Sequence, residues 1–238
     1  MNAPELSLVI PARDEAANLP LLLAEIGTAL DRAPFEAIVV DDGSADGSAG
    51  ILERLGREIG WLRPVLLERP AGQSAALAAG IRAAAGSAVA TLDADLQNDP
   101  ADLPGMWEIV RTGSADLVQG IRTERCDGRV RRAAEAVGRA ARRAIVGDRT
   151  RDTGCATRVL TAELARRLPL DFDGMHRFVA AYASIVGARI VEVPVRHRPR
   201  RSGRSHYGLW ERAAAGMHDA LAVRWMRARY RAAAARGE

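Results

Sequence analysis

The stretch TLDADLQNDP, residues 91–100, closes an apolar run with three acids in seven positions, Asp93, Asp95 and Asp99. Carboxylates this close repel one another, so a positive partner is needed to make the arrangement favourable. In an extended stretch alternate side chains share a face, which would point Asp93, Asp95 and Gln97 the same way. Three oxygen donors at a strand end suit a hard divalent cation, Mg2+ or Mn2+, that keeps positions open for phosphate oxygens. Asp99 has a plainer reading. It precedes Pro100 with Asp102 three residues on, the pattern of a helix N-cap followed by proline at the first helical position. A second acidic pair, Asp41 and Asp42 in VVDDGSADGS (39–48), ends another apolar run. There Gly43 permits a tight turn, and Ser44 or Asp46 can cap the next helix. Either one acid accepts from a ligand N–H or both satisfy turn amides.

Short β-branched runs alternating with Ala/Leu/Arg stretches of helical period must position these acids. Strands are predicted at 6–11, 36–42, 63–68, 88–95 and 115–121, with helices near 15–31, 46–59 and 73–85. Such alternation with short connections predicts a mostly parallel sheet flanked by helices in a single α/β domain. PARDE (11–15), DDGS (41–44) and DADLQ (93–97) follow strands one, two and four. At the carboxyl ends of an open sheet they would face one crevice. Pro11-Ala12-Arg13 stands where a dinucleotide-binding turn would carry glycines, which argues against that class. In the second half, residues 122–151 carry ten Arg against four acids in a predicted helix. Strands at 154–160 and 189–196 bracket helical segments near 161–168 and 175–186. RHRPRRSGRSHYG (196–208) holds five Arg and no acid, and a final amphipathic helix is predicted over 209–230.

The bulk numbers set bounds. A chain of 238 residues, 48% hydrophobic, buries a sizeable core, and one domain is the expectation. All 34 basic residues are Arg and none is Lys. Amid so much Ala this reflects a compositional bias as much as function, so the net charge of +4 is weak evidence for an anionic partner. Cys126 and Cys155 form no framework or metal spacing, fit a reducing compartment and read as packing residues. His176, His197 and His218 share no ligand spacing. Aromatic content of 4% and the lack of a helix-turn-helix or RNA-binding motif argue against nucleic acid. The N-terminus shows no signal peptide. The longest uncharged run, 70–81, falls short of the roughly 18 residues a membrane span needs. A cytoplasmic chain with at most peripheral membrane contact is expected.

The motifs VIPARDEAANL, VVDDGSADGS, AGQSAALAAGI, LDADLQNDP, RDTGCATRVL, HRF and VPVRHRPRRSGRSHYG occur in the order seen in family 2 glycosyltransferases. The chain most resembles the polyprenyl-phosphate (dolichyl-phosphate type) mannosyl- and glucosyltransferases, over roughly residues 5–226. The resemblance implies a GT-A fold over 1–207, followed by a C-terminal amphipathic helix and tail over 208–238. It also implies inverting, metal-dependent transfer of a sugar from a UDP- or GDP-linked donor to a polyprenyl phosphate. Pro11, Ala12, Arg13, Glu15 and Asp42 would then line the nucleoside pocket, and Asp93, Asp95 and Gln97 would hold Mg2+ or Mn2+ against the donor diphosphate. Arg122, Arg131, Arg200, Ser205 and Tyr207 would meet the donor or acceptor phosphates, with Asp93, Asp95 and Arg122 central to catalysis.

Two departures stand out. RPAGQSAAL carries Pro70 and Ala71 where members often show Asn-x-Gly, and the usual Ser-Lys-Tyr reads Ser205-His206-Tyr207. A His there makes a fixed charge conditional on pH. The alternatives are transfer to a sugar hydroxyl, with Asp152, Asp171 or Asp173 as base, and a non-catalytic nucleotide-sugar-binding protein. In the last helix Trp210, Ala214, Met217, Leu221, Trp225 and Ala228 form one stripe. It would cover the end of the sheet, pack in a homo-oligomer or dock on an anionic membrane.

Overall fold

A computed structural model describes residues 3–122, 143–147, 150–199 and 209–231, the side chains of 209–215 excepted. Seven strands form one sheet: β1 (Leu6–Ala12), β2 (Phe35–Asp41), β3 (Leu62–Leu66), β4 (Ala88–Thr91), β5 (Leu117–Arg122), β6 (Arg158–Thr161) and β7 (Ile190–Val195). Their spatial order is β3-β2-β1-β4-β6-β5-β7. Only β6 runs antiparallel, against β4 on one side and β5 on the other. The expected mostly parallel sheet in a single α/β domain is present.

Both faces of the sheet are covered, which is why β1 and β2 are apolar without alternation. Leu6, Leu8 and Ile10 of β1 pack with Leu19, Leu22, Leu23 and Ile26 of helix α1 (Leu19–Ala29), and with Leu52 of α2 (Ser48–Glu58). Leu103 and Met106 of α4 (Leu103–Arg111) complete that side. On the other face Val9, Ile38 and Val40 meet Ala76, Leu77 and Ile81 of α3 (Gln73–Ala83). Residues of α5 (Ala162–Arg166) and α6 (Val179–Ile185) join the same cluster. Each large side chain buried in these layers contributes about 1.5–3 kcal/mol.

Helix α4 went unread in the sequence, and α7 (Leu209–Arg229) lies where a final helix was predicted. The face of α7 that joins the core carries Ala220 and Val223, both buried, with Met226 partly so. The expected stripe is elsewhere: Met217, Leu221 and Trp225 point to solvent. For these three residues, covering the end of the sheet is therefore excluded. Among the described residues no helix is long and apolar enough to cross a membrane.

Candidate active site

Parallel strands deliver their following loops to one edge, and the acids collect there. The loop after β1 and the loop after β2 brace each other. Asp14 Oδ1 accepts from Ala45 N (2.8 Å), Asp14 N donates to Ser44 Oγ (2.9 Å) and Ala16 N donates to Asp46 Oδ2 (2.9 Å). Asp14 adopts a left-handed backbone with φ 56°, a conformation its short polar side chain tolerates. The tight turn after Asp42 needs Gly43. Its φ is 64°, and a Cβ there would lie 2.6 Å from the backbone N of Pro70. Buried Asp41 accepts from the N–H and hydroxyl of Ser44. Buried Asp42 takes Ala71 N at 2.6 Å and Gly72 N at 3.0 Å. Both acids thus serve turn amides, the plainer of the two expectations, and Asp42 fixes the loop that leads into α3.

β4 stops at Thr91, short of the predicted residue 95. Residues 94–96 turn, and Leu96, only 3% exposed, sits at φ 62°. Asp93, Asp95 and Gln97 therefore share one edge through a turn, not through strand alternation. A buried leucine in the left-handed region costs on the order of 1–2 kcal/mol, so the surroundings must impose it. They do so on two sides. Gln97 accepts at its carbonyl from Arg198 N (2.7 Å), and its side-chain Nε2 donates to Arg198 O (3.4 Å). Asn98 forms an isolated bridge with His197. Asp95 Oδ1 accepts from Gln97 N at 3.1 Å, and Asp93 Oδ1 accepts from Gln73 Nε2 at 3.0 Å. Because Nε2 of Gln97 is a donor here, its Oε1 is the oxygen offered to another group.

Asp99 accepts from Ala101 N (3.0 Å), the expected cap of a short 3-10 turn, Pro100–Asp102. It also takes the guanidinium of Arg198 at 2.8 Å and of Arg196 at 3.2 Å. Burial pushes its pKa up, but the cap N–H and the two arginines outweigh this and hold it below the usual value. The segment after β7 is in this way riveted across the acidic turn, which brings the start of the Arg-rich stretch to the same edge.

β6 adds the last wall. Being antiparallel, it starts at this edge, with Arg158 opposite Thr91, so residues 152–157 enter the crevice. Buried Asp152 grips Arg122 at the end of β5 bidentately, Nε to Oδ2 and Nη2 to Oδ1, both at 2.8 Å. A Cβ on Gly154 would come within 2.8 Å of Arg122 Nη2, so a larger residue there would displace the guanidinium from its place beside Asp152.

Acids, amides and arginines from the loops after β1, β2, β4, β5 and β7 are thus gathered at one sheet edge. The profile of glycosyl transferase family 2 covers residues 7–170. The chain belongs to that family.

Among curated members, a dodecaprenyl-phosphate galacturonate synthase from Rhizobium johnstonii is 37% identical over 216 residues, 86% of this chain and 62% of its own. An undecaprenyl-phosphate 4-deoxy-4-formamido-L-arabinose transferase from Aeromonas hydrophila is 35% identical over 206 residues, 85% of this chain and 63% of its own. The chain thus spans less than two thirds of these relatives. The crystal structure of Mycobacterium tuberculosis glucosyl-3-phosphoglycerate synthase superposes with TM-score 0.69 at 24% identity, over 94% of this chain and 80% of that one. The same enzyme with Mn2+, UDP and phosphoglyceric acid gives 0.71 at 22% identity, over 97% and 80%. At that identity the likeness establishes the fold, a GT-A arrangement.

Of the residues the family resemblance singles out, Pro11, Ala12, Arg13, Glu15, Asp42, Asp93, Asp95, Gln97 and Arg122 lie at this edge. Arg131, Arg200, Ser205 and Tyr207, with His206, lie outside the described residues. Glu15 accepts from the Asn18 amide, and its N–H donates to Ser48 Oγ. Of the three candidate bases, Asp152 is engaged by Arg122 and Asp171 pairs with Arg82 at 3.2 Å. Asp173 accepts from Gly174 N. Sequence reasoning missed Gln73, although AGQSAALAAGI stands out as a motif, because nothing local ties a helix-start glutamine to an acid 20 residues on. It also missed Ser74, whose buried hydroxyl lies 2.8 Å from His176 Nδ1.

Proposed function

We propose that the chain transfers a sugar from a UDP- or GDP-linked donor to a polyprenyl phosphate, with Mg2+ or Mn2+ held by Asp93, Asp95 and Gln97. The observation that carries this reading is the sharing of one sheet edge by those oxygen donors, by Arg122 and by the arginines that follow β7. Polyprenyl phosphates appear in the names of the curated relatives, and a solved neighbour was crystallised in complex with Mn2+ and UDP. The donor set fits a hard cation. Two carboxylates and an amide oxygen are donor types such a cation takes, and Asp95 is 9% exposed, shielded enough for charge pairing to count. Among the described residues no group of three or more His, Cys, Asp or Glu gathers at all, so the proposed set is two carboxylates completed by an amide. When bound, the cation stabilises the charge that builds on the departing diphosphate.

The chain's own residues do the rest. Gln73 orients Asp93, and the turn through Leu96 sets Asp95 and Gln97 beside it. Asp152 fixes the plane of the Arg122 guanidinium, so an approaching phosphate meets an oriented cation, not a mobile one. A polyprenyl monophosphate, with a second pKa of about 6, is already an anionic nucleophile near pH 7. It needs charge compensation more than a general base. That agrees with Asp152, the most buried candidate base, being committed to an arginine. The presence of Asp93, Asp95 and Gln97 together weighs against the non-catalytic alternative.

The test is incubation with radiolabelled UDP- and GDP-sugars, polyprenyl phosphate and Mn2+, followed by solvent extraction. Label is expected in the lipid fraction. Label found only in water-soluble sugar would move the acceptor to a hydroxyl. Asp95→Ala should cut transfer by on the order of 100-fold or more and remove the Mn2+-dependent part of UDP or GDP binding in calorimetry. Transfer near wild type in that variant would withdraw the cation assignment.

A further inference from the structure

The exposed face of α7 is more apolar than a solvated helix needs. Met217, Leu221 and Trp225 are 48%, 54% and 63% exposed and recur every four residues, so they stand in one row. At about 100° per residue, Arg224 falls on one flank of the row and His218 and Arg229 on the other. Arg224, Arg227, Arg229 and Arg231 are exposed. Within 216–231 the one acid is Asp219, and it faces inward: its carboxylate lies 3.7 Å from Arg177, and a Cβ on Gly174 would strike it. The opposite face is anchored. Ala220 and Val223 are buried, Arg227 Nη1 donates to Val146 O at 2.8 Å, and Tyr230 receives a hydrogen bond from Arg167. The helix is thus held rigidly with an apolar, arginine-flanked row outward.

The geometry points to this row as the docking face for an anionic lipid bilayer, laid parallel to the surface with Trp225 at the headgroup level. Three observations favour a bilayer over a second copy of the chain. Among the described side chains of the helix the exposed charge beside the row is of a single sign, so two copies meeting through it would oppose arginine to arginine, whereas anionic headgroups complement it. Arginine stems cover apolar surface while their heads reach phosphates. Finally, the inward side of the same helix is tied to the crevice by a short path of contacts. Asp219 meets Arg177, the adjoining His176 meets Ser74, and the adjoining Gln73 holds Asp93. A bilayer at α7 would therefore lie against a helix braced on the same helix start that holds Asp93. This last argument rests on the proposed polyprenyl-phosphate reading; the first two do not.

Flotation of the full chain with vesicles of phosphatidylglycerol and phosphatidylcholine tests the idea, with pure phosphatidylcholine as control. Binding to the anionic vesicles at low salt is expected, with a blue shift of tryptophan emission. It should fall at least tenfold in Leu221→Glu and in the double variant Arg224→Glu/Arg229→Glu. All of these positions are solvent-exposed, so circular dichroism and Tm should stay at wild type. Transfer to a short, water-soluble isoprenoid phosphate should be unchanged in these variants, while transfer to long-chain polyprenyl phosphate in vesicles falls with binding. Absence of wild-type flotation would overturn the docking face. So would loss of a dimer in Leu221→Glu, by sedimentation, with vesicle binding intact. Wild-type flotation without transfer to any polyprenyl phosphate would leave the docking face standing and sink the acceptor reading instead.

Discussion

Gln73 carries no charge, yet it sets the orientation of the acid on which the proposed cation site depends. Its Nε2 holds Asp93 at 3.0 Å from the first turn of α3. Partners of metal ligands are worth about 10- to 100-fold in affinity. Gln73→Ala should therefore weaken Mn2+-dependent UDP or GDP binding by about tenfold or more, read by calorimetry, while Tm stays within a degree or two. Arg122 and Asp152 pose a sharper question, because the same carboxylate is a candidate base. Asp152→Asn breaks a bidentate pair whose acid is 3% exposed and whose arginine is 23% exposed. Breaking a fully buried pair costs about 3–5 kcal/mol, so about 2 kcal/mol is expected at this partly open position. The outcome foreseen is a lower Tm with the KM for lipid phosphate raised. A loss confined to kcat, with Tm unmoved, would restore Asp152 as a base.

At the scale of elements, the loop between β2 and α2 depends on a backbone no other residue adopts easily. In Gly43→Ala the new Cβ meets Pro70 and Arg69 backbone at 2.6–2.8 Å, and backbone cannot swing aside. Thermal unfolding should show a loss of at least about 2 kcal/mol, together with weaker donor binding as Asp42 loses Ala71 and Gly72. An unchanged Tm would mean the loop relaxes freely. Strands β1 and β2 were legible because their apolar runs end abruptly in polar turns. The end of β4 was not: Leu92, Ala94 and Leu96 alternate with acids and imitate a half-buried strand. What breaks the strand is the bridge from Asn98 to His197, a partner about a hundred residues away. The direction of β6 was equally hidden, since nothing within RVL distinguishes a parallel from an antiparallel strand. Helix α4 opens on Leu103-Pro104-Gly105, which reads as a loop although proline is welcome in a first helical turn. For α7 the period was legible but not the face. Ala220 and Val223 make a smaller apolar row than Met217, Leu221 and Trp225, and only the packing decides which turns inward.

Across the whole molecule, one of the contacts that join the two halves of the chain runs through a histidine, His176. The N–H of His176 donates to Ser74 Oγ (3.2 Å), and the serine hydroxyl is 2.8 Å from Nδ1, to which it can donate when the neutral ring carries its proton on Nε2. Arg158, itself 5% exposed and bonded to Gln119, donates to the carbonyl of His176 at 3.1 Å. Burial above all, then Arg177 and Arg158, lowers the imidazole pKa from 6.5 to about 4. A base whose folded pKa lies below its unfolded one binds fewer protons in the native state throughout that interval. Stability is then whole above about pH 6.5 and is lost as pH falls toward 4, by roughly 3 kcal/mol at most. Carboxylates held low, among them Glu36 and Asp99 with ordinary values of 4.5 and 3.8, begin to lose their own contribution only as pH falls below about 5.5, so the upper part of this window reports the histidine. Melting curves at half-unit steps should accordingly show Tm falling by several degrees between about pH 6.5 and 4.5. In His176→Asn the amide oxygen can take the serine proton in place of Nδ1 but cannot titrate. That variant should start lower at about pH 7.5 and hold a flatter Tm through the same interval. If its slope matches wild type, the acid sensitivity belongs to other groups and not to His176.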